Sequence, residues 1–272
     1  MSPEQRLRSY VDVWEVAVAD VLALLRSLEP PDWQRPTDLP GWDVRAVAAH
    51  LAHVESVLAG NPQPAVDVPL AANTSVTRAY TEAGPAARAT WSPGEIVEEL
   101  ASSAAARLAR LREDPPTDPT GRADLTPGGI AWDWQTLLSN RVVDLWMHEQ
   151  DVRRAVGRPG GLDTAAAGHT VGVFAGGLGY VVGKRVAPPA GTTVALEVAG
   201  PHPVQAAVEV GRDGRAARLL DPPGSPTVRL RTDLEGYVVL CGGRRPAETV
   251  GVVVDGDREL GRRVLAALAV TP

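Results

Sequence analysis

Two short stretches carry side chains able to do chemistry together. In Arg141-Val142-Val143-Asp144-Leu145-Trp146-Met147-His148-Glu149-Gln150-Asp151-Val152, Asp144 and His148 lie four residues apart. On a helix they share a face, one turn from each other. Val142, Val143, Leu145, Trp146 and Met147 set Asp144 in apolar company, so its carboxylate is expected to be at least half buried. A buried charge is costly unless something pairs with it. Arg141 can do so in an ordinary ion pair; a metal held jointly with His148 can do so as well. The second stretch is Ala49-His50-Leu51-Ala52-His53-Val54-Glu55, with His50 and His53 three apart on one face. His50 sits beside the apolar stripe Val47, Leu51, Val54 and Leu58, where a lone imidazole is more often a satisfied core residue than a ligand. Taken together the two stretches offer more. His50, Asp144 and His148 make two imidazoles and a carboxylate, a ligand set of catalytic zinc or a related divalent ion, with a coordination position left open. There is no compact His-Glu-x-x-His motif, so two facing helices must complete the set.

The elements that would position these residues can be read from caps and periodicity. Ser2 with Pro3 starts a long helix whose apolar positions Val11, Trp14, Val18, Val21, Leu22 and Leu25 fit a 3.6 period, ending before Pro30-Pro31. Asp43 caps a second helix, Val44 to about Ala59, that carries His50. A Pro/Ala-rich connection over 61–92 holds a short helix around 75–83. Ser92-Pro93-Gly94-Glu95 is a capping box for a third long helix to about Arg112. The fourth, with no Gly or Pro between Ile130 and Val156, carries Asp144 and His148 and ends at Gly157. Four long helices with connections of unequal length predict a four-helix bundle with long crossovers. A fifth, Gly-rich helix runs over 164–184, capped by Asp163. After Pro188-Pro189 the pattern turns to short strands at 192–198, 204–210, 227–231 and 249–254, with a helix through Leu240 and a last helix from Asp257 to Leu268. The fold class is therefore α+β in two domains.

Composition narrows the partners. The chain has 272 residues, 44% hydrophobic and 22% charged, with a net charge of −6. That is the make-up of a globular protein. The acidic balance argues against non-specific nucleic-acid binding, which rests on many cation–phosphate contacts. Cys241 is the single cysteine, which excludes an internal disulfide and a Cys-rich zinc site. No leader sequence and no apolar run of membrane-spanning length is read, so the expected setting is the cytoplasm, with no membrane partner.

Thr37-Asp38-Leu39-Pro40-Gly41-Trp42-Asp43-Val44-Arg45-Ala46-Val47-Ala48-Ala49-His50-Leu51-Ala52 resembles the N-terminal segment of mycothiol-dependent maleylpyruvate isomerase-like proteins. Arg141-x-x-Asp144-x-x-x-His148-x-x-Asp151, followed by Ala155-x-Gly157, resembles that family's second signature. Leu240-Cys241-Gly242-Gly243-Arg244-Arg245-Pro246, then Val254-Asp255-Gly256-Asp257, resembles its closing segment. The resemblance implies a DinB-like metal-binding bundle over 1–160, a connecting helix over 161–185 and a small sterol-carrier-like α+β domain over 186–272. It also implies a divalent metal, zinc in the usual case, on His50, Asp144 and His148. Position 144 holds Asp where the family has Glu, one methylene shorter, so this ligand must bring its helix nearer or change its denticity.

The same resemblance implies the chemistry. Mycothiol, or another low-molecular-weight thiol, is activated as a thiolate at the metal. It adds to an electron-poor cis double bond, the resulting single bond rotates, and elimination gives the trans isomer. A thiol S-transferase shares the first step. The partners are thus a small thiol and a small electrophilic or carboxylate substrate, on a monomer or homodimer. Arg244 or its neighbour Arg245 resembles an arginine that holds a substrate carboxylate. His53, outside the ligand set, and Arg244 are the candidate catalytic residues; Trp42 and Arg141 are the candidates for binding the thiol. Two other readings stand beside this one. The chain can be a non-catalytic binding member of the fold, or a metal-dependent hydrolase with Glu55 or His53 as the base.

Overall fold

The computed structural model describes residues 1–64 and 76–271, with side chains omitted at 76–79. It divides into two compact units, Met1–Pro159 and Gly160–Pro272.

The first unit is built on four long helices, α1 (Pro3–Arg26), α2 (Val44–Leu58), α4 (Pro93–Glu113) and α5 (Trp134–Val156), with the shorter α3 (Val76–Ala87) beside α2. The expected short helix thus runs to Ala87; its first residue, Ser75, lies outside the described residues. α2 packs on α4 and α5, and α1 packs on the same two helices, so the ring runs α1, α4, α2, α5. Burial of Trp14, Leu51, Ile96, Leu100, Leu138, Leu145 and Trp146 fills the space between them. Each start is chemically specified. Ser2 and Ser92 form capping boxes with Gln5 and Glu95. Asp43 and Asp133 accept from the backbone N–H three residues on. Both aspartates also belong to isolated antiparallel bridges, Pro36 with Asp43 and Arg122 with Asp133. The two helices that carry the candidate ligands therefore enter the bundle from pinned loops. In the first of these loops Thr37 donates through both its N–H and its hydroxyl to the Trp42 carbonyl, which fixes Trp42 just ahead of α2.

The second unit is a five-stranded mixed sheet with helices. Its strands are β1 (Thr193–Ala199), β2 (Val204–Val210), β3 (Ala216–Leu219), β4 (Val228–Asp233) and β5 (Val253–Gly256), in the order β3-β2-β1-β4-β5. β1 and β4 are parallel, with Val194 opposite Val228 and Leu196 opposite Leu230, all four buried. The other pairs are antiparallel. The helix α8 (Leu234–Cys241) packs on β1 and β4, and α9 (Arg258–Ala267) on β4 and β5.

Three expectations change. The helix expected over 164–184 is interrupted: α6 (Ala165–Gly176) stops at the Gly176-Gly177 pair, a one-turn α7 (Leu178–Tyr180) follows, and a π-helical turn, Val181–Val186, ends in left-handed Ala187. Adjacent glycines leave that turn without side chains to hold it. This segment belongs to the second unit, where α6 and α7 lie on β2. Ala165–Val186 also has the length and mean hydropathy, 1.3, of a bilayer span, contrary to the expectation that no such stretch exists. Its buried residues, among them Ala167, Val171, Phe174 and Val182, are the ones this unit uses as core. The last expected strand begins at Val253 rather than 249, because a 3₁₀ turn after Pro246 takes up Ala247–Thr249.

Gly183 lies against β3. A Cβ there would stand 2.6 Å from the backbone nitrogen of Ala216, whereas one on Gly172 would meet nothing within 4 Å. Gly183→Ala should therefore lower stability by about 1–3 kcal/mol through overpacking. Gly172→Ala should raise it by up to about 1 kcal/mol through helix propensity. Urea denaturation of the full chain followed by circular dichroism checks both.

Candidate metal centre

The three residues singled out for metal binding come together. His50 on α2 and His148 on α5 turn their Nε2 atoms toward one oxygen of Asp144, at 3.7 Å and 3.5 Å from Oδ1. The ligand atoms of the three residues all lie within 4.8 Å of one another, the one such group of His, Cys, Asp or Glu among the described residues. These separations are too long for good hydrogen bonds. They are near the ~3.4 Å edges of a tetrahedron with bonds of ~2.0–2.1 Å around a central zinc. Both imidazoles are buried, whereas the Asp144 side chain is 30% exposed, which leaves the cluster open on its carboxylate side.

The surroundings prepare each ligand differently. His148 Nδ1 lies 3.1 Å from Asp151 Oδ2. An imidazole that donates Nδ1–H to a carboxylate presents a bare Nε2, the arrangement that orients metal-bound histidines. Asp151 is itself held by Arg154, which also donates to Asp38 at 3.0 Å in the loop before α2. His50 is held by packing instead. Its Nδ1 is buried with no hydrogen-bond partner among the described residues. The ring stands 5.0 Å from His148, edge on, and 5.2 Å from Trp42. An imidazole with both nitrogens outside hydrogen-bond reach, one of them facing a shared carboxylate oxygen, suits a cation as its partner. The donor set fits a divalent ion.

The charges follow from this geometry. Burial lowers the pKa of His50, outweighing the pull of Asp144, so this ring is neutral. Burial acts on His148 in the same direction, but Asp144 and then Asp151 outweigh it and raise its pKa above the ordinary 6.5. Burial would raise the Asp144 carboxyl; Arg141, then His148, hold it well below its usual range instead.

The other sequence candidates take varied places. Trp42 is buried, roughly parallel to His148 at 6.2 Å, and its Nε1 donates to Glu82 on α3 at 3.4 Å. His53, one turn beyond His50, has Nδ1 2.9 Å from Gln63 Oε1 and 3.3 Å from Arg88, and its ring faces Tyr80. Burial and then Arg88 lower its pKa to about 4, so at neutral pH it is an uncharged, weak base. Gly84 lets α3 approach it; a Cβ there would lie 2.8 Å from His53 Cβ. Arg141 is buried between two carboxylates, donating to Glu55 and to Asp144. Arg244 belongs to the second unit, in the turn after α8, where it donates to the Gly242 carbonyl at 2.6 Å. Cys241 is buried beside Tyr237 and its thiol is pushed up to about 12, which leaves it protonated.

Glu55 is fully buried and receives Arg107 on Oε2 at 3.0 Å, and Arg141 and the Trp14 indole on Oε1 at 2.8 and 3.0 Å. Burial would raise its pKa, but Arg107 and Arg141 prevail and lower it. A carboxylate so occupied has no free oxygen with which to activate water, which removes it as the base of a hydrolase. The sequence reading missed Arg107 and the network it completes. Its signal was present: Arg107 continues the stripe Leu100, Ala104, Leu111 on the buried face of α4.

A ring of four helices converges two histidines and an aspartate from facing members, and a small α+β unit follows it in the chain. Residues 14–153 match the family model described as mycothiol maleylpyruvate isomerase N-terminal domain, and the chain belongs to this family. Two crystal structures of mycothiol-dependent maleylpyruvate isomerase, one of a histidine-to-alanine mutant, share the fold over 92% of both chains. Their TM-scores are 0.55 and 0.56 for the native and mutant proteins, at 18% and 17% identity. No curated protein sequence matches the chain.

Because the pKa of His148 lies above 6.5, a proton competes with a metal for its ring already near neutrality. As pH falls through that raised value, the apparent affinity for Zn²⁺ should drop by about tenfold per pH unit, one proton being displaced. His50, with its lowered pKa, should add no competition in that range. Chelator-competition titrations between pH 5.5 and about 8 read this slope. In His148→Ala the stoichiometric binding itself should be lost.

Proposed function

We propose that this protein is a metal-dependent enzyme that uses mycothiol, or a similar low-molecular-weight thiol, as a nucleophile to isomerise a small cis-alkene carboxylate of the maleylpyruvate type. The observation that carries this reading is the convergence of His50 and His148 on Oδ1 of Asp144. The chain's membership of the family supports it, since the relatives of known structure are mycothiol-dependent isomerases.

A free thiol has a pKa near ~8.5, and a divalent metal on these residues supplies the positive charge that ionises it at neutral pH. Zinc fits two imidazoles and a carboxylate. Each residue then has a role. His148, oriented by Asp151, and His50, confined by Trp42, contribute neutral donors. Asp144 contributes the single negative charge, so positive charge is left over to stabilise a thiolate. Its exposed side is the approach for thiol and substrate. The chain's own thiol is buried and protonated, which agrees with a nucleophile taken from solution.

In the reaction the thiolate sulfur forms a bond to one alkene carbon while the π pair moves onto the conjugated carbonyl. The former double bond, now single, rotates. The π bond re-forms as the C–S bond breaks, and the thiolate is regenerated. No atom is gained or lost, so the thiol is a catalyst rather than a reagent. S-transfer is the same first step without the elimination. Arg244 is the group proposed to hold a substrate carboxylate, for which the guanidinium fork is suited. Trp42 is proposed as an apolar wall for the thiol, and His53 as a neutral polar neighbour of the site.

Calorimetric titration with mycothiol should show stoichiometric binding to metal-loaded protein and none to metal-stripped protein or to Asp144→Ala. With maleylpyruvate, turnover should require both metal and catalytic amounts of thiol. Arg244→Ala should raise KM by about 10-fold or more while metal content stays at wild-type level. Equal turnover without thiol would overturn the proposal.

A further inference from the structure

Of the two carboxylate oxygens of Asp144, Oδ2 is already engaged. Arg141 Nη1 donates to Asp144 Oδ2 at 2.5 Å, while Nε and Nη2 of the same guanidinium both donate to Glu55 Oε1, at 3.1 and 2.8 Å. Glu55 comes from the facing helix α2 and is tied in turn by Arg107 from α4 and Trp14 from α1. All four long helices thus fix the orientation of one guanidinium. The fork is planar and its donors diverge at set angles. With one edge anchored on Glu55, the remaining nitrogen can meet Asp144 in a single direction. The carboxylate that results has Oδ2 committed to Arg141 and Oδ1 turned to the two Nε2 atoms.

We infer that Arg141 is the positioning residue of the metal centre, and that the Glu55–Arg141 pair makes Asp144 a ligand through Oδ1 alone. The inference rests on the metal reading above. It assigns Arg141 a task other than contact with the thiol. With Oδ2 committed to Arg141, the Asp144 carboxylate is steered as a one-oxygen ligand rather than a chelating one, which keeps the coordination number low and a position open for the thiol. It also places this cation, which touches the ligand set through Asp144 Oδ2, on the oxygen not turned to the imidazoles, where it draws off part of the carboxylate charge. The ion is thereby left more electrophilic than a free aspartate would leave it.

The test uses full-length protein loaded with Co²⁺, whose visible absorption reports coordination number, and metal affinity from chelator competition. Arg141→Lys keeps the positive charge, but one ammonium cannot span Glu55 and Asp144 together. Glu55→Gln keeps the shape of the anchor and removes its charge. Glu99→Gln breaks a different ion pair, that with buried Arg88, and serves as the control for general loosening. The wild type should give the intense spectrum of a four-coordinate ion. Arg141→Lys and Glu55→Gln should give weaker bands of higher coordination, and an affinity lower by about 10–100-fold, the usual effect of losing an outer partner of a ligand. Glu99→Gln should lower thermal stability and leave spectrum and affinity unchanged. If Arg141→Lys fails to fold, the isosteric Glu55→Gln decides. A folded variant with wild-type spectrum and affinity overturns the positioning role while metal binding stands. A wild type that takes up no Co²⁺ or Zn²⁺ overturns both.

Discussion

The first unit depends on a carboxylate that has no contact with water. Glu55 is 0% exposed, and an uncompensated charge in that position would cost several kcal/mol. Its compensation is drawn from every side of the bundle: Trp14 from α1, Arg107 from α4 and Arg141 from α5. Each partner has to be in register for the next to be satisfied. Removing Glu55 would leave buried Arg107 without its ion-pair partner, a change that typically costs about 3–5 kcal/mol, far more than an exposed pair such as Arg112–Glu15 can contribute. The network therefore acts less as a source of stability than as a specification of one arrangement of four helices. The ligand cluster hangs from it through Arg141.

Within that arrangement the two histidines differ in kind. His148 belongs to a polar chain that runs through Asp151 and Arg154 to Asp38, so its ring is oriented by charge. His50 is oriented by the walls around it, Trp42 and His148. The opposite shifts of their pKa values follow directly. The ring with two carboxylates near it holds its proton, and the ring with mostly aromatic neighbours gives its proton up. One shared aspartate oxygen thus joins a charged environment to an apolar one.

Much of this was legible in the sequence. Caps and periodicity located all four long helices, because Ser2, Asp43 and Ser92 each announce a start and Gly157 an end. The spacing of Asp144 and His148 put them on one face, and the apolar neighbours of Asp144 signalled that it needs a partner. Spacing sets Arg141 and a metal as competing partners, whereas the geometry commits Oδ2 to Arg141 and leaves Oδ1 turned to the two imidazoles. That distinction is invisible to spacing, since it depends on which edge of the guanidinium Glu55 occupies from another helix. Arg107 went unread for a related reason: a charged residue on an apolar stripe reads as an interruption until its partner is known. The break at Gly176-Gly177 and the short β5 turn on local backbone choices, to which periodicity is blind.

His50 and His148 lie on helices separated by the whole of α3 and α4, and the chain between them closes only when the bundle does. The ligand cluster consequently has no existence in a partly opened unit. By thermodynamic linkage, the free energy of any ion bound there adds to the stability of the closed bundle as a whole, in proportion to the logarithm of the free ion concentration. Opening of the α5 turn around Asp144 would release an ion held there, so ion exchange would report the rate at which that turn opens. A centre built across two helices far apart in sequence would in this sense be a clamp, and the lifetime of an ion held there would be a clock for the breathing of the fold.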